Sequence, residues 1–391
     1  MTSERGDGIL ISETTPDGEV ASSRPSAPGQ HTICLDVDDL ADVVAAVGLD
    51  RFVDDLIAAI AGAVRSFDIA RVETLARAGF SYTAPAIGLV EWMPSMVVGR
   101  SVAIKTVAYH PDNPSAVGLP SVLATTSVYD TDTGRLVAIC EATMLTALRT
   151  GAASAVMTDA LVPPGPITLG VVGCGAQAVT QIHAISRIRP IERLIVADAE
   201  PAVAATLADR LPPGVLVDGA AFDVVSTLAF GERVGDLDVL CTCTSVDVDK
   251  GPVVELRGAK PALHVNAVGS DFPGKVELPV DYLRSAVVIP DTLDQCLVEG
   301  ESQQLTADEV GPGMVEVLTD PAHRELVNQR TVFDSTGWAY EDLVAATRFV
   351  DEAERLGLGT RLALQYLPDD PYDPLEAIRR RNRRRGEAGR G

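Results

Sequence analysis

The hexapeptide Gly173-Cys-Gly175-Ala-Gln-Ala178 follows an apolar run and opens an alanine-rich stretch. Its residue types suit phosphate binding. Gly173 permits a tight turn, Gly175 lets backbone approach a pyrophosphate, and the small Ala178 allows a helix to pack closely on a strand. The free N–H groups and positive end of that helix then face the phosphates. Asp198 closes the next apolar run 20 residues after Ala178. A carboxylate there can accept from both ribose hydroxyls and repels a 2′-phosphate, so NAD is expected over NADP. The neighbouring Ala199-Glu200 offers no basic group for such a phosphate.

Two further residues stand out by context. Lys105 interrupts the apolar run Val102, Ala103, Ile104 and Val107. A lysine in mid-strand is costly unless it points into a polar site, and burial lowers its pKa. Asp271 follows Asn266-Ala-Val-Gly-Ser270, just past the carboxyl end of an apolar run. Ligands of open α/β sheets bind at such ends. Six cysteines are scattered with no metal-ligand spacing, and His110 and His264 lack ligand partners nearby, so no metal is expected. Cys174 reads as a small filler.

These residues need a scaffold. From Leu40 to Val64 apolar positions recur at helical spacing. Ser101–His110, Ser121–Tyr129 and Arg135–Glu141 read as strands, the last two joined by the turn sequence Asp130-Thr-Asp-Thr-Gly134. A helix over about 144–161 is stopped by Pro163-Pro-Gly-Pro166. Strand and helix then alternate: Ile167–Val172, Ala176–Arg189, Arg193–Ala197 and Pro201–Leu211, with later strands at Asp238–Thr242, Ala262–Asn266 and Ala286–Ile289. That order predicts α/β architecture: a Rossmann-type, doubly wound parallel sheet over 151–330. An N-terminal α+β domain spans 31–150, completed by a C-terminal helix over about 338–365. Residues 1–30 read as a flexible extension and 366–391 as an arginine-rich flexible tail.

The 391 residues carry a net charge of −23, with 46% hydrophobic and 4% aromatic residues. Such a chain repels nucleic acid and anionic lipid, which argues against both as partners. No signal peptide or membrane span is evident, so a cytoplasmic, soluble protein is expected.

The remaining polar motifs resemble the ornithine cyclodeaminase/μ-crystallin family. They are Glu91-Trp-Met-Pro94, Lys105 with His110-Pro-Asp-Asn113 and Gly118-Leu-Pro120, and Leu145-Thr-Ala-Leu-Arg-Thr-Gly-Ala-Ala153. Gly173-Cys-Gly-Ala-Gln177, Asn266-Ala-Val-Gly-Ser-Asp271 with Pro273-Gly-Lys275, and Asp334-Ser-Thr-Gly337 before Glu341-Asp342 follow in order. The resemblance implies a homodimer whose N-terminal domain binds substrate and dimerises. It implies hydride chemistry at the α-carbon of an amino or imino acid. In cyclodeaminases the α-amine of a diamino acid is oxidised to an imine, the distal amine attacks, ammonia leaves, and the hydride returns. Ketimine reductases and amino-acid dehydrogenases share the family, and its crystallin-like branch suggests a non-catalytic dinucleotide binder as a further alternative.

By the same resemblance Asp271 and Lys105 are catalytic. Arg149, Lys105 and Arg77 are expected at the substrate carboxylate, Arg149 also near the cofactor. Glu91 contacts a distal amine or forms a structural ion pair. Ser121, Ala176, Gln177, Thr242, Val265, Asn266, Ala267, Val268 and Thr336 align with NAD-binding positions. Trp92 is read as the mark of a subgroup with its own substrate.

Overall fold

The computed structural model describes residues 31–388. The expected extension over residues 1–30 lies outside them. The strands in chain order are β1 (Thr32–Leu35), β2 (Val72–Thr74), β3 (Ala78–Tyr82), β4 (Gly88–Val97), β5 (Ser101–Tyr109), β6 (Val122–Asp130) and β7 (Leu136–Glu141). They continue as β8 (Ile167–Val172), β9 (Ile191–Ala197), β10 (Ala221–Val224), β11 (Val239–Thr242), β12 (His264–Ala267), β13 (Val287–Pro290), β14 (Thr331–Asp334) and β15 (Thr360–Leu362). The longer helices are α1 (Val37–Val47), α2 (Leu49–Arg65), α3 (Thr143–Leu161), α4 (Ala176–Ile188), α5 (Ala339–Leu356) and α6 (Glu376–Ala388).

Two sheets result. The first is mixed, in the order β15-β1-β7-β6-β5-β4-β2, with β3 paired to β4. The second is all-parallel, in the order β10-β9-β8-β11-β12-β14-β13. The chain reverses direction of travel across the sheet at β8, which puts the β8–α4 turn at the switch point.

Local chemistry explains the helices beside the site. Asp36 accepts from the N–H groups of Asp38 and Asp39, and the Asp39 side chain accepts from Asp36 N–H, a reciprocal cap that starts α1. Gly48, at φ +91°, separates α1 from α2. In α2, Phe52, Val53, Leu56, Ile60 and Val64 form one buried stripe. The Phe52 ring meets Phe349 of α5 at 4.6 Å. The first turn of α3 is capped by Glu141, whose carboxylate accepts from Thr143 N–H (2.5 Å) and Met144 N–H (3.0 Å). Helix α3 is buried nearly all round, which its alanines and Gly151 permit. A Cβ on Gly151 would lie 2.5 Å from the Thr180 carbonyl oxygen of α4.

Several expected boundaries move. Helix α3 runs through the expected domain border at 150/151, because its outer faces pack on both α2 and α4. The expected helix over Pro201–Leu211 is two short pieces meeting at Thr206. The C-terminal helix stops at Leu356, where Gly357 adopts a left-handed conformation (φ +71°), and the chain then adds β15 to β1. The stretch expected as a flexible tail contains α6, where Arg379 pairs with Asp373 and Arg380 with Asp369 and Glu376. Among the described residues no helix is long and apolar enough to cross a membrane.

Candidate active site

One cavity of about 1700 Å3 runs from the β8–α4 turn to the inner face of the mixed sheet. Its first half is built by the glycine loop. Gly173 has φ +89°, and a Cβ there would stand 2.7 Å from the Cys243 carbonyl oxygen. Gly175 precedes α4 with no side chain capping the helix, and a Cβ at Gly175 would meet no atom within 4 Å. Uncapped N–H groups and open space at this point fit a pyrophosphate. Asp198 is pinned at the end of β9, accepting from Cys174 N–H (2.6 Å) and Glu200 N–H (2.8 Å). Gly173, Gly175, Ala176, Gln177, Asp198, Ser121, Val268 and Thr336 all line the cavity.

Other expected cofactor positions do not reach the wall. Ala178 is buried on the inner face of α4. Thr242, Val265, Asn266 and Ala267 are buried within the sheet. The Asn266 amide donates to Thr158 Oγ1 (2.9 Å) and its carbonyl pairs with the His264 ring. The wall comes instead from the loops just beyond these strands, Cys243–Val248 and Val268–Phe272. Strand ends of such sheets hold a ligand through the loops that follow them, while the strand residues themselves are buried.

The second half gathers cations. Lys105 lies on β5 facing inward, 2% exposed, with Nζ 2.7 Å from Asp342 Oδ2. Arg149 of α3 donates from Nε to Asp342 Oδ1 (3.0 Å) and from Nη1 to Glu341 Oε2 (3.1 Å). Arg77 precedes β3 and donates from Nη1 to Glu91 Oε1 (3.1 Å) and from Nη2 to the Thr336 carbonyl (2.6 Å). Its Nε lies 2.7 Å from Glu299 Oε1. Asp271 projects half-exposed from the loop after β12, with Lys275 Nζ 2.6 Å from its Oδ1. Arg77, Glu91, Lys105, Arg149, Asp271 and Lys275 all line the cavity.

Burial and charge set the protonation states here. Burial lowers Lys105 to about 8, opposed by Asp342 and reinforced by Arg149. Burial raises Glu341 to about 8 and Glu299 to about 7, against the pull of Arg149 and Arg77 respectively. Burial also raises Glu91. For Asp342 burial acts upward too, but the charges of Arg149 and Lys105 outweigh it and hold the carboxyl below its usual range. Burial lowers His264 to about 4, so its imidazole is neutral.

Three features escaped the sequence reading. The sequence alone assigns no role to Glu299 or Lys275, and it offers Glu341-Asp342 only as part of a motif. Trp92 was read toward substrate, but its neighbours on β4, Glu91 and Met93, face the cavity while Trp92 faces outward against Phe80 (5.9 Å). Strand alternation alone assigns these faces once Lys105 is placed inward, since Met93 pairs with Lys105 and Trp92 with Thr106. Among the described residues no cluster suits a metal ion.

A parallel nucleotide-binding-type sheet, a mixed sheet and one cavity between them define a two-domain Rossmann-type α/β enzyme. Residues 37–356 match the ornithine cyclodeaminase/mu-crystallin family, and the chain belongs to that family. It is 38% identical over 342 residues to an L-lysine cyclodeaminase of Streptomyces rapamycinicus, covering 86% of this chain and 96% of the relative. A solved lysine cyclodeaminase, studied for recognition of L-lysine, L-ornithine and L-2,4-diaminobutyric acid, superposes with TM-score 0.83 at 40% identity, covering 88% of this chain and 99% of that one. An archaeal alanine dehydrogenase dimer with bound NAD superposes with TM-score 0.71 at 26% identity, covering 86% and 100%.

Proposed function

We propose that this enzyme binds NAD and cyclodeaminates an L-diamino acid, releasing ammonia. The observation that carries the reading is the shared cavity. Three cations, Arg77, Lys105 and Arg149, and the carboxylates Glu91 and Asp271 lie on the same wall system as an uncapped helix N-terminus. An α-amino acid needs its carboxylate held by cations and its amine near a carboxylate, and the forked guanidinium of Arg149 suits the first task.

Gly173, Gly175, Ala176 and Gln177 would hold the pyrophosphate and Asp198 the ribose hydroxyls. When bound, the nicotinamide supplies a hydride acceptor for the α-carbon and returns the hydride after ring closure. The chain's own residues manage position and protons. Lys105 and Arg149 fix the carboxylate, so the α-hydrogen has one orientation. Asp271 would hold the α-ammonium and accept one of its protons, so that loss of the hydride leaves an iminium. Glu91 receives the distal ammonium. Glu91 takes one proton from that ammonium, and the freed amine attacks the iminium carbon. The proton in excess on the new ring nitrogen passes to the original amine, which leaves as ammonia, and a ring iminium remains to take the hydride back. The exposed Phe80–Trp92 face of the mixed sheet is the surface we assign to a homodimer.

A second reading has its own support. Glu91 already accepts from Arg77, so a distal ammonium would have to share it with that guanidinium. A site in which it stays paired would process simple amino acids as a dehydrogenase or imines as a reductase. Pure protein with NAD and a panel of diamino and simple amino acids separates the two. Ammonia and a cyclic product without NADH accumulation supports cyclodeamination. Accumulating NADH supports the dehydrogenase. No turnover of any amino acid, and none of imines with NADH, overturns both.

A further inference from the structure

Among the described residues, Asp342 is the one group that touches two of the site's cations from two different elements. Its Oδ2 meets Lys105 Nζ of β5 at 2.7 Å and its Oδ1 accepts from Arg149 Nε of α3 at 3.0 Å. The Asp342 side chain is 2% exposed, so water does not share this task. Glu341, its neighbour, pairs with Arg149 at 3.1 Å. Both acids stand in the first turn of α5, the helix that returns from the parallel sheet to the mixed-sheet domain.

The segment leading into that turn is also fixed on the cofactor side. Asp291 accepts from Gly337 N–H (2.7 Å) and from Thr336 Oγ1 (3.1 Å). The Gln295 amide donates to Thr336 Oγ1 (2.7 Å). Gly337 has φ +95°, and a Cβ there would lie 2.8 Å from Arg149 Nη2. The crossing chain therefore packs its backbone against Arg149 and delivers Asp342 beneath it.

We propose that Asp342 is a positioning residue that locks Lys105 and Arg149 into one carboxylate-binding pair and keeps Lys105 charged. Two effects combine. Geometrically, one carboxylate bridging two long side chains removes rotamer freedom that the substrate would otherwise have to quench. Electrically, the groups facing Lys105 are Asp342, Arg149 and Arg77, with Glu91 also within electrostatic reach. Two of these four are cations, and burial adds to their effect on Lys105. Asp342 is the only one in direct contact, and it is the anion that offsets them. Glu341 does not stand in for it: its carboxyl meets Arg149 Nη1 at 3.1 Å, and burial raises it to about 8.

The geometric half of the proposal rests on the cations serving a substrate carboxylate, so the test separates Asp342's action from the enzyme's substrate. The chain has four lysines, Lys105, Lys250, Lys260 and Lys275, which makes a titration of 13C-labelled lysine side chains by NMR tractable, with Lys105→Arg giving the assignment. Wild type is expected to show a Lys105 midpoint near 8. Asp342→Asn is expected to lower it by at least one unit, and Glu341→Gln to leave it in place. This readout needs no substrate. On whichever amino acid the wild type turns over, D342N raises KM by roughly 10–100-fold, the worth of charge-assisted hydrogen bonds, while NADH binding followed by fluorescence stays unchanged. If D342N does not fold, Asp342→Glu keeps the charge but displaces it. Its Lys105 midpoint then stays near 8 and KM rises. An unmoved midpoint in D342N, or an unchanged KM in D342E, overturns the proposal.

Discussion

A buried lysine is a measurable object, and Lys105 gives the first prediction. Its pKa is depressed to about 8 by burial, so it is charged below that pH and neutral above it. As a carboxylate binder it is active in the charged form. The kcat/KM profile should therefore fall as pH rises through about 8, and Lys105→Met should remove that limb along with most of the activity. A profile that climbs through pH 8 would assign Lys105 to proton abstraction instead. Asp271→Asn should lower kcat by about 10²–10⁴-fold, the usual worth of a general base, with NADH affinity retained. Lys105 and Asp271 were legible because each breaks a local pattern, a charge in an apolar strand and a carboxylate at a strand's end. Asp342 and Glu299 were not. The Arg149–Asp342 contact spans 193 positions, and Arg77 meets Glu299 from the other domain. No local period encodes such a pairing.

At the scale of elements, the β8–α4 unit was fully readable, because a parallel strand buried on both faces is a continuous apolar run and the glycine pattern follows it directly. Strands β2, β3 and β4 were missed for the opposite reason. Residues 72–97 contain Gly79, Pro85, Gly88 and Pro94, and β3 is almost wholly exposed, so neither alternation nor a solid apolar run marks them. Yet this hairpin brings Arg77 beside Glu91, pairing Gly79 with Glu91 so closely that a Cβ on Gly79 would stand 2.5 Å from Glu91 Cα. The two glycines of the phosphate loop differ in what they do, and mutation should separate them. Gly173→Ala meets backbone at 2.7 Å with φ +89°, so it should cost stability, seen as a Tm lowered by several degrees. Gly175→Val adds bulk only toward the cavity, so Tm should hold while NADH affinity collapses. Equal losses of stability in both variants would contradict an open phosphate cradle at Gly175.

At the scale of the whole molecule, the outer face of the mixed sheet is left unexplained by the described fold. On the outer side of the mixed sheet, register places Trp92, Pro94 and Met96 of β4 beside Thr106, Ile104 and Val102 of β5. Phe80 of β3 is 70% exposed and packs its ring edge-on to Trp92. A chain with a charge of −23 has ample polar residues to cover a solvated face, and monomers seldom keep so continuous an apolar strip in water. The opposite face of the same strands carries Glu91, Met93 and Lys105, so the sheet is a wall with the site on one side and this strip on the other. Joining two copies through the strip would stiffen the strands that aim Lys105 and Glu91. Replacing Phe80 and Trp92 together by Asp places two charges on the strip and touches nothing in the cavity. If the wild type sediments with the mass of two chains, the variant should sediment with the mass of one, and this monomer should keep NADH binding but turn over substrate more slowly. A double variant that still sediments as a dimer would move the interface elsewhere, and the exposed strip would need another partner.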